Sequence, residues 1–337
     1  MPSPKVTVLM SAFNAEIFLR EAIDSVLKQS LEDFEFIIFD DKSTDHTLQI
    51  LKEYRDARLV IRSNLENQGL TRNLVLGMEM ARGKYVARMD ADDICLPNRL
   101  QSQVDYLEQH PEISVLGSSV MFFDGHGHEI IGSQPECHEA IQCELLFGFT
   151  MLHPSVMMRR ADLERRGLKY DPHFICSQDH DLWTRASRVL RFANLNQPLL
   201  KMREHRAKIG RTKRSKQMML SDEIRRRQLD ELGVIYTDAE LAAFNAGAGG
   251  VFLQGTVEQL ASYDRMVGKI IAANQAKNLF HQPTLERIGA AKLRGLCRMA
   301  LLQHNPAGRY YWRSQLRALD DMSFRDRLGL MYRSVSL

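Results

Sequence analysis

The sequence predicts an α/β fold, with a mixed, mainly parallel sheet followed by a mostly helical C-terminal region. Two observations support this prediction. Up to residue 90, short apolar segments alternate with segments of helical periodicity, which is typical of parallel strands joined by helices on both faces. From residue 216 onward, long helical patterns replace that alternation. We therefore expect two domains, spanning residues 1–215 and 216–337.

The N-terminal part contains four predicted strands with helices between them. Each strand is a short apolar segment, and each helix repeats its apolar residues at helical spacing. Ser43 or Thr44 is expected to cap the second helix, and Gly83 is expected to end the third. The strands are predicted at 5–13, 34–41, 58–64 and 84–90, and the helices at 16–30, 43–56 and 70–83.

After residue 100 the pattern is less regular. Residues 113–131 read as strands joined by a glycine-rich turn, and residues 155–167 pass from a strand to a helix. Residues 177–190 begin a helix with acids in its first turn, and residues 192–205 are strand-like. Further on, "TDAE" at 237–240 has the pattern of a capping box at the start of a helix.

The composition is that of an ordinary globular protein, with 337 residues, 44% hydrophobic and 26% charged. The net charge of +3 is too small to indicate a nucleic-acid partner. Five cysteines without a C-x-x-C pair indicate reduced thiols. The N-terminus lacks the features of a signal peptide, and no apolar stretch reaches the ~20 residues that span a bilayer. We expect a cytoplasmic protein; peripheral association with the inner face of a membrane and homo-oligomerisation are compatible with this sequence.

Polar residues follow three of the predicted strands, at 11–14, 40–41 and 90–93. In parallel sheets ligands bind beyond the carboxyl ends of the strands, so these groups should lie along one rim. The Asp-x-Asp at 90–92 can present two carboxylates to Mg²⁺ or Mn²⁺. Taken alone, it can equally be an acidic turn before a helix. A haloacid-dehalogenase-type phosphatase also has Asp-x-Asp after a strand, but that family has Thr or Val at the position where this chain has Ile94.

Four segments between residues 4 and 205 resemble, in order and spacing, the family 2 glycosyltransferases of the GT-A fold. The first is the opening block, "VTVLMSAFNAEIFLREAIDSVLKQSLEDFEFIIFDDKSTDHT". The second is the Asp-x-Asp block, "ARGKYVARMDADDICLPNRL", and the third is the catalytic acid motif, "SQDHDLWTR". The fourth is the histidine motif, "MREH".

The resemblance implies a role for each matching residue. Asp179 would be the catalytic base, because a hydroxyl nucleophile must lose its proton as it attacks. Asp92 and His205 would bind the Mn²⁺ or Mg²⁺ that neutralises the leaving diphosphate, with Asp93 as a further candidate ligand. Asp41 would accept a base N–H if the donor is a uridine nucleotide. The nucleotide sugar would be bound by Ser11, Ala12, Phe13, Asp41, Arg72, Asn73 and Asp90.

Four positions depart from the family's usual residues. Phe13 stands in place of Tyr, Lys42 in place of Gly, and Gln178 in place of Glu. Cys95, just beyond the acids, is a further departure that the sequence does not explain. Plain core packing is an alternative for Phe13, and a solvated side chain is an alternative for Arg72.

The resulting hypothesis is an inverting, metal-dependent glycosyltransferase. It would move a sugar from a nucleotide-diphosphate donor, expected to be a UDP-sugar, to a hydroxyl of a glycan or lipid-linked acceptor. The resemblance to this family implies a role in the assembly of surface polysaccharide, capsule or lipopolysaccharide. Two alternatives are a metal-dependent phosphohydrolase built on Asp90 and Asp92, and a non-catalytic nucleotide-sugar-binding module. The basic stretch 203–216 is interpreted as a lid or a linker, and 216–337 as an acceptor lobe, an oligomer contact or a membrane-surface platform.

Overall fold

The computed structural model describes residues 3–124, 127–148, 150–205, 213–249 and 256–335. Within these residues, nine strands form one sheet. The strands are β1 (Val6–Ala12), β2 (Phe34–Asp40), β3 (Leu59–Ser63), β4 (Tyr85–Asp90), β5 (Ile94–Cys95), β6 (Ile113–Phe123), β7 (Glu129–Gly132), β8 (Met157–Arg159) and β9 (Arg191–Arg203).

Seven of the described α-helices begin before residue 200, and they alternate with the strands. They are α1 (Leu19–Leu27), α2 (Thr47–Glu53), α3 (Leu70–Met80), α4 (Arg99–Gln109), α5 (His138–Phe147), α6 (Arg160–Arg165) and α7 (Gln178–Ala186).

The sheet order is β3-β2-β1-β4-β8-β6-β9-β5, with β7 paired to β6. The first four strands are mutually parallel, and β8 joins β4 in the antiparallel sense. The pair β6–β9 is parallel again, whereas the short strand β5 runs antiparallel to β9. This is the mixed, mainly parallel sheet that the sequence predicts, and the predicted fold is confirmed.

Strands β1 and β2 are buried on both faces because helices cover each side. Val8 and Met10 belong to a core cluster that includes apolar residues of α1, α2 and α4. Leu9 points the other way and meets α3 so closely that a Cβ on Gly77 would lie 2.2 Å from its Cδ1. Residues on alternate faces of one strand therefore anchor different helices.

Two predicted helix ends are wrong. Helix α2 begins at Thr47 with His46 at the N-cap position, and no side chain caps it. Ser43 is used elsewhere, because its Oγ accepts a hydrogen bond from the Asn14 backbone N–H at 3.1 Å. Helix α3 ends at Met80, before Gly83. Gly83 instead allows a close backbone crossing, since a Cβ there would lie 2.4 Å from the Thr7 nitrogen.

The chain divides into two compact units, one with residues 1–141 and 149–220 and the other with residues 142–148 and 221–337. The second unit is helical, as predicted. In it, Thr237 and Glu240 form the predicted capping box at the start of a helix. Its helices after α5 are α8, which begins in the first unit (Arg214–Leu232), α9 (Asp238–Ala248), α10 (Val257–Lys277), α11 (Gln282–Leu302) and α12 (Phe324–Val335).

Candidate functional site

The carboxyl ends of β1, β2 and β4 lie side by side. Ser11 is the register partner of Asp90 on β4, and Ala12 is the partner of Asp40 on β2. The predicted common rim of polar residues is therefore present, and it follows from parallel pairing of strands that end in polar residues.

Asp41 organises the loop that leads into α3. Its side chain is buried, at 2% exposure, and Oδ1 accepts hydrogen bonds from Asn64 Nδ2 at 2.8 Å and the Gln68 backbone N–H at 2.9 Å. Oδ2 accepts one from the Gly69 N–H at 2.9 Å. A carboxylate oxygen can accept two hydrogen bonds. Oδ2 thus keeps capacity for one ligand donor, although most of this carboxylate's bonding is structural.

Asn73 is a second structural crosslink at the rim. It is fully buried, donates from Nδ2 to Ser11 Oγ at 2.9 Å and accepts from Asn64 at 2.7 Å. Arg72, its neighbour on α3, is exposed. Phe13 is 51% exposed at the end of β1, so it is not a core residue.

Asp90, Asp92 and Asp93 bring one carboxylate oxygen each within 4.8 Å of one another. His205, two residues after the end of β9, places its Nε2 2.7 Å from Asp92 Oδ2. Two ligand atoms on one octahedral cation at ~2.1 Å are about 3 Å apart, so this spacing suits a shared ion. Carboxylate oxygens with one imidazole are a ligand set that Mn²⁺ accepts. The donor set therefore fits a divalent cation.

Arg203 fastens the end of β9 to the acidic loop. Its backbone N–H donates to Asp93 Oδ1 at 2.9 Å, and its Nε donates to the Asp92 carbonyl at 3.0 Å. Its guanidinium also pairs with Glu21 and lies 4.4 Å from the centre of the Phe18 ring. These contacts bring His205, two residues later, beside Asp92.

Arg88 is a buried cation under the rim, and the sequence reasoning missed it. It points from β4 away from the main core, is 3% exposed and pairs with Asp90. Its Nε and Nη1 have no hydrogen-bond partner among the residues that the structure describes. The available signal was an arginine inside an otherwise apolar strand, because an arginine is almost never fully buried unless it is paired.

Asp179 lies in the first turn of α7 and is only partly accessible. Burial raises the pKa of this carboxyl to about 6, against the opposing effects of the His180 N–H, which donates to it at 2.9 Å, and of the Arg88 charge. The Asp90 carboxylate adds to the rise. A carboxylate with a pKa near the working pH is suited to act as a general base.

Tyr170 lies within electrostatic reach of Asp179 and belongs to a buried aromatic group. His153 Nε2 lies 2.8 Å from the Tyr170 hydroxyl, and its ring meets Trp183 edge-on with centroids 6.1 Å apart. Burial, helped by the Arg88 charge, holds the pKa of His153 well below its usual value. Burial raises the pKa of Tyr170. Both side chains are therefore neutral near pH 7, and Tyr170 adds no charge near Asp179.

The structure shows the surroundings of three departures from the family pattern. Lys42 has φ of 61°, a left-handed conformation that glycine adopts most easily. Cys95 is a core residue, with its backbone N–H bonded to Ser25 Oγ at 2.9 Å and its Sγ 3.7 Å from Arg99 Nη1. Gln178 is buried at 5% exposure.

Much of the basic stretch at 203–216 lies outside the described residues. Arg206, Lys208 and Arg211 fall in the segment 206–212, so the prediction of a lid or linker there stays a prediction. Among the described helices, none is both long enough and apolar enough to cross a bilayer.

The chain is similar to known glycosyltransferases. Residues 7–168 match glycosyl transferase family 2. The chain is 36% identical over 210 residues to the uncharacterised glycosyltransferase MJ1057 of Methanocaldococcus jannaschii, covering 60% of this chain and 72% of that protein. It is 32% identical over 203 residues to the amylovoran biosynthesis glycosyltransferase AmsE of Erwinia amylovora, covering 58% of this chain and 75% of that protein.

Two solved structures share the fold. TarS 1–349 of S. aureus, in complex with UDP-GlcNAc, superposes with a TM-score of 0.58 at 18% identity over 89% of this chain and 92% of that one. The mannosyltransferase PcManGT of Pyrobaculum calidifontis, in complex with GDP-Man and Mn²⁺, gives 0.52 at 16% identity over 96% and 89%. With the sheet, the acidic rim and these relatives taken together, the chain belongs to glycosyltransferase family 2 and is a glycosyltransferase of the GT-A fold.

Proposed function

We propose that this enzyme transfers a sugar from a nucleoside-diphosphate donor, expected to be a UDP-sugar, to a hydroxyl group with inversion at the anomeric carbon. One observation carries the proposal. Asp179, a carboxylate whose pKa is raised to about 6, lies within electrostatic reach of Asp90 on the acidic rim. A base next to the rim where the donor diphosphate would lie is the arrangement that direct displacement of a nucleotide requires.

Asp179 would act on the acceptor. Its carboxylate takes the proton of the acceptor hydroxyl as the oxygen attacks the anomeric carbon and the bond to the diphosphate breaks. No second carboxylate is assigned as a nucleophile, so a single displacement with inversion follows. Asp181 does not compete for this role, because its Oδ2 accepts from Arg185 Nη2 at 2.6 Å and the side chain is buried.

The donor would lie along the ends of β1, β2 and β4. The exposed ring of Phe13 can stack on a nucleobase, and the remaining acceptor position of Asp41 Oδ2 can receive a base N–H. Arg72, exposed at the start of α3, can reach a phosphate. Ser11, Ala12 and Asn73 would shape this pocket, and Asp90, held by Arg88, would assist the metal or contact the ribose.

Asp92 and His205 would hold Mn²⁺ or Mg²⁺, and a bound cation would neutralise charge that develops on the leaving diphosphate. The pairing of the two side chains at 2.7 Å supports this assignment. Asp93 Oδ1 accepts a hydrogen bond from the Arg203 N–H. Asp93 would therefore hold the acidic loop in place and is the weaker candidate for a metal ligand. The neighbour PcManGT was obtained with Mn²⁺, so Mn²⁺ is the first ion to test.

The acceptor is proposed to be a glycan or lipid-linked glycan in surface polysaccharide assembly. The name of the relative AmsE, an amylovoran biosynthesis glycosyltransferase, supports this assignment. Family membership favours glycosyl transfer over a phosphohydrolase or a pure binding module. Both alternatives predict distinct products in the experiment below.

The test begins with thermal stabilisation of the full chain by UDP and GDP, each with Mn²⁺, Mg²⁺ or a chelator. We expect a uridine nucleotide with Mn²⁺ to raise the melting temperature, since a ligand that binds only the folded state stabilises it. The best donor is then used to measure transfer and donor hydrolysis, and NMR of the product gives the anomeric configuration.

Three variants separate the roles. Asp179→Asn should keep the nucleotide-dependent stabilisation but lower turnover by about 10²- to 10⁴-fold, the contribution typical of a general base. Asp92→Asn should lose the metal-dependent part of the stabilisation. Asp105→Asn, an exposed acid on α4, is the matched control and should change neither. Full turnover by Asp179→Asn would remove it from the base role, and a covalent aspartyl-phosphate on Asp90 would support the phosphohydrolase.

A further inference from the structure

Helix α12 carries an exposed apolar stripe that the glycosyltransferase site does not use. Phe324 is 76% exposed, Leu328 is 51% exposed and Met331 is 48% exposed. At 3.6 residues per turn these three side chains fall within an arc of about 60° on one side of the helix. Tyr332 borders the same stripe and is 77% exposed.

A different side of α12 attaches it to the rest of its unit. Leu330 and Ser334 are buried, and Ser334 Oγ accepts from Trp312 Nε1 at 3.0 Å. The Ser334 carbonyl accepts from Arg309 Nε at 2.8 Å. The attached side and the apolar stripe are about 110° apart around the helix axis. The stripe is therefore not the packing face of the helix.

Two arginines flank the stripe, while Asp326 and Arg333 lie on the far side of the helix. Arg325 and Arg327 are exposed and flank it on its two sides, each about 40–60° from the nearest apolar side chain. Asp326, the acid of this helix, lies about 170° from the centre of the stripe. It is engaged there by Ser323, whose Oγ donates to Asp326 Oδ2 at 2.6 Å. A surface that meets this face therefore encounters apolar groups between two cations.

We propose that α12 docks on a membrane surface that contains anionic lipid, with Phe324, Leu328 and Met331 entering the acyl boundary and Arg325 and Arg327 contacting lipid phosphates. An amphipathic helix with aromatic and aliphatic residues on one side and basic residues beside them binds at such an interface, in the plane of the membrane. The flanking arginines favour an anionic lipid surface over an apolar protein partner, because only the lipid surface offers phosphates to the cation on each side of the stripe. The proposal is independent of the roles assigned to Asp179 and Asp92.

The test is co-sedimentation of the full chain with vesicles of phosphatidylcholine alone or with about one-third phosphatidylglycerol. We expect binding to the anionic vesicles that weakens in high salt, since salt screens the arginine contribution. The variant Arg325→Gln/Arg327→Gln should bind anionic vesicles about tenfold to thirtyfold more weakly, as each basic residue near such a surface contributes about 1 kcal/mol. It should leave any weak binding to the neutral vesicles unchanged.

The apolar part is tested with Phe324→Gln/Leu328→Gln/Met331→Gln, which keeps residues compatible with a helix. We expect its affinity for anionic vesicles to fall at least about a hundredfold. The matched control replaces three exposed apolar residues outside α12, in Met219→Gln/Ile235→Gln/Val257→Gln, and should bind like the unsubstituted chain. The nucleotide-dependent thermal shift reports whether each variant is folded.

A second measurement does not depend on removing the stripe. Leu328→Trp places an indole in the stripe, and vesicles with brominated acyl chains should quench its fluorescence, whereas Ile235→Trp should show no added quenching. Equal binding of the α12 variant and its control, or an unquenched Trp at 328, would overturn the proposal. So would a dimer in light scattering that dissociates in the α12 variant while vesicle binding is absent, because the face would then be covered by a second copy.

Discussion

At the scale of single residues, the charge on Asp179 links activity and stability in opposite directions. Burial raises its pKa from 3.8 to about 6, so the folded protein holds the proton more tightly than the unfolded chain. As pH rises through this interval, ionisation of Asp179 in the folded state lowers the free energy of unfolding by up to about 3 kcal/mol. Below about pH 3 the carboxyl is protonated in both states, and the cost disappears.

We therefore expect Asp179→Asn to turn over about 10²- to 10⁴-fold more slowly but to be more stable than the unsubstituted chain at pH 8, with a melting temperature a few degrees higher. The gain should shrink to well under about 1 kcal/mol near pH 4 and vanish below about pH 3. For the unsubstituted enzyme, kcat/KM should fall about tenfold per pH unit below pH 6, because the base must be ionised. Melting curves and a pH–rate profile measure both effects. A gain in stability that is equal at pH 4 and pH 8 would show that a buried charge is not its cause.

The sequence identified the rim residues better than it identified their chemistry. The positions of Ser11, Asp41 and Asp90 follow from strand ends, which short apolar segments followed by polar residues reveal. Most of the hydrogen-bonding capacity of the Asp41 carboxylate is taken up by the loop before α3. The backbone N–H groups that donate to it lie 27 and 28 residues later in the chain, so no local pattern predicts these bonds. The buried Arg88 was missed because strand patterns assign a face by apolar residues, and this arginine occupies the face opposite the main core.

At the scale of secondary-structure elements, Gly83 decides how β4 enters the sheet. A Cβ at this position would lie 2.4 Å from the Thr7 nitrogen and 2.7 Å from the Val6 carbonyl carbon, both in β1 backbone that cannot move without breaking the strand pair. The Gly83 N–H also donates to Thr7 Oγ1 at 2.9 Å. We expect Gly83→Ala to lower the free energy of unfolding by about 3 kcal/mol.

The matched control is Gly268→Ala, in the interior of α10, where an added Cβ would meet nothing within 4 Å. That change should stabilise the chain by about 0.5–1 kcal/mol, because alanine loses less backbone entropy in a helix than glycine does. Urea titrations of both variants measure the difference. A neutral Gly83→Ala would mean that β1 and β4 can separate locally without cost.

The elements that the sequence predicted well are those set by local pattern. The first four strands agree with their predicted bounds to within one residue at each end. Helix starts were less predictable, since Ser43 and Thr44 have capping side chains but are engaged by Asn14, a residue 29 to 30 positions earlier in the chain. The antiparallel insertion of β8 beside β4 also depends on long-range pairing, which no local pattern specifies.

At the scale of the whole molecule, the chain passes between its two units more than once. The segment 142–148 belongs to the second unit, although it precedes the predicted boundary at 215 by about seventy residues. Within that unit the Phe147 ring packs against Phe244 with centroids 5.7 Å apart, and Glu144 pairs with Lys292 at 2.6 Å. The Leu145 carbonyl accepts from Gln228 Nε2 at 3.3 Å.

A fragment ending at residue 215 would therefore leave Leu145 and Phe147 without the partners that bury them, and a contiguous apolar patch of this kind promotes aggregation. We expect the fragment 1–215 to bind an apolar dye strongly and to sediment as aggregates. The same fragment with Leu145→Gln/Phe147→Gln should be more soluble, while these changes in the full chain should lower its melting temperature, because buried apolar contacts are lost. A monodisperse fragment 1–215 with the full chain's nucleotide-dependent thermal shift would show that the catalytic unit folds without residues 221–337.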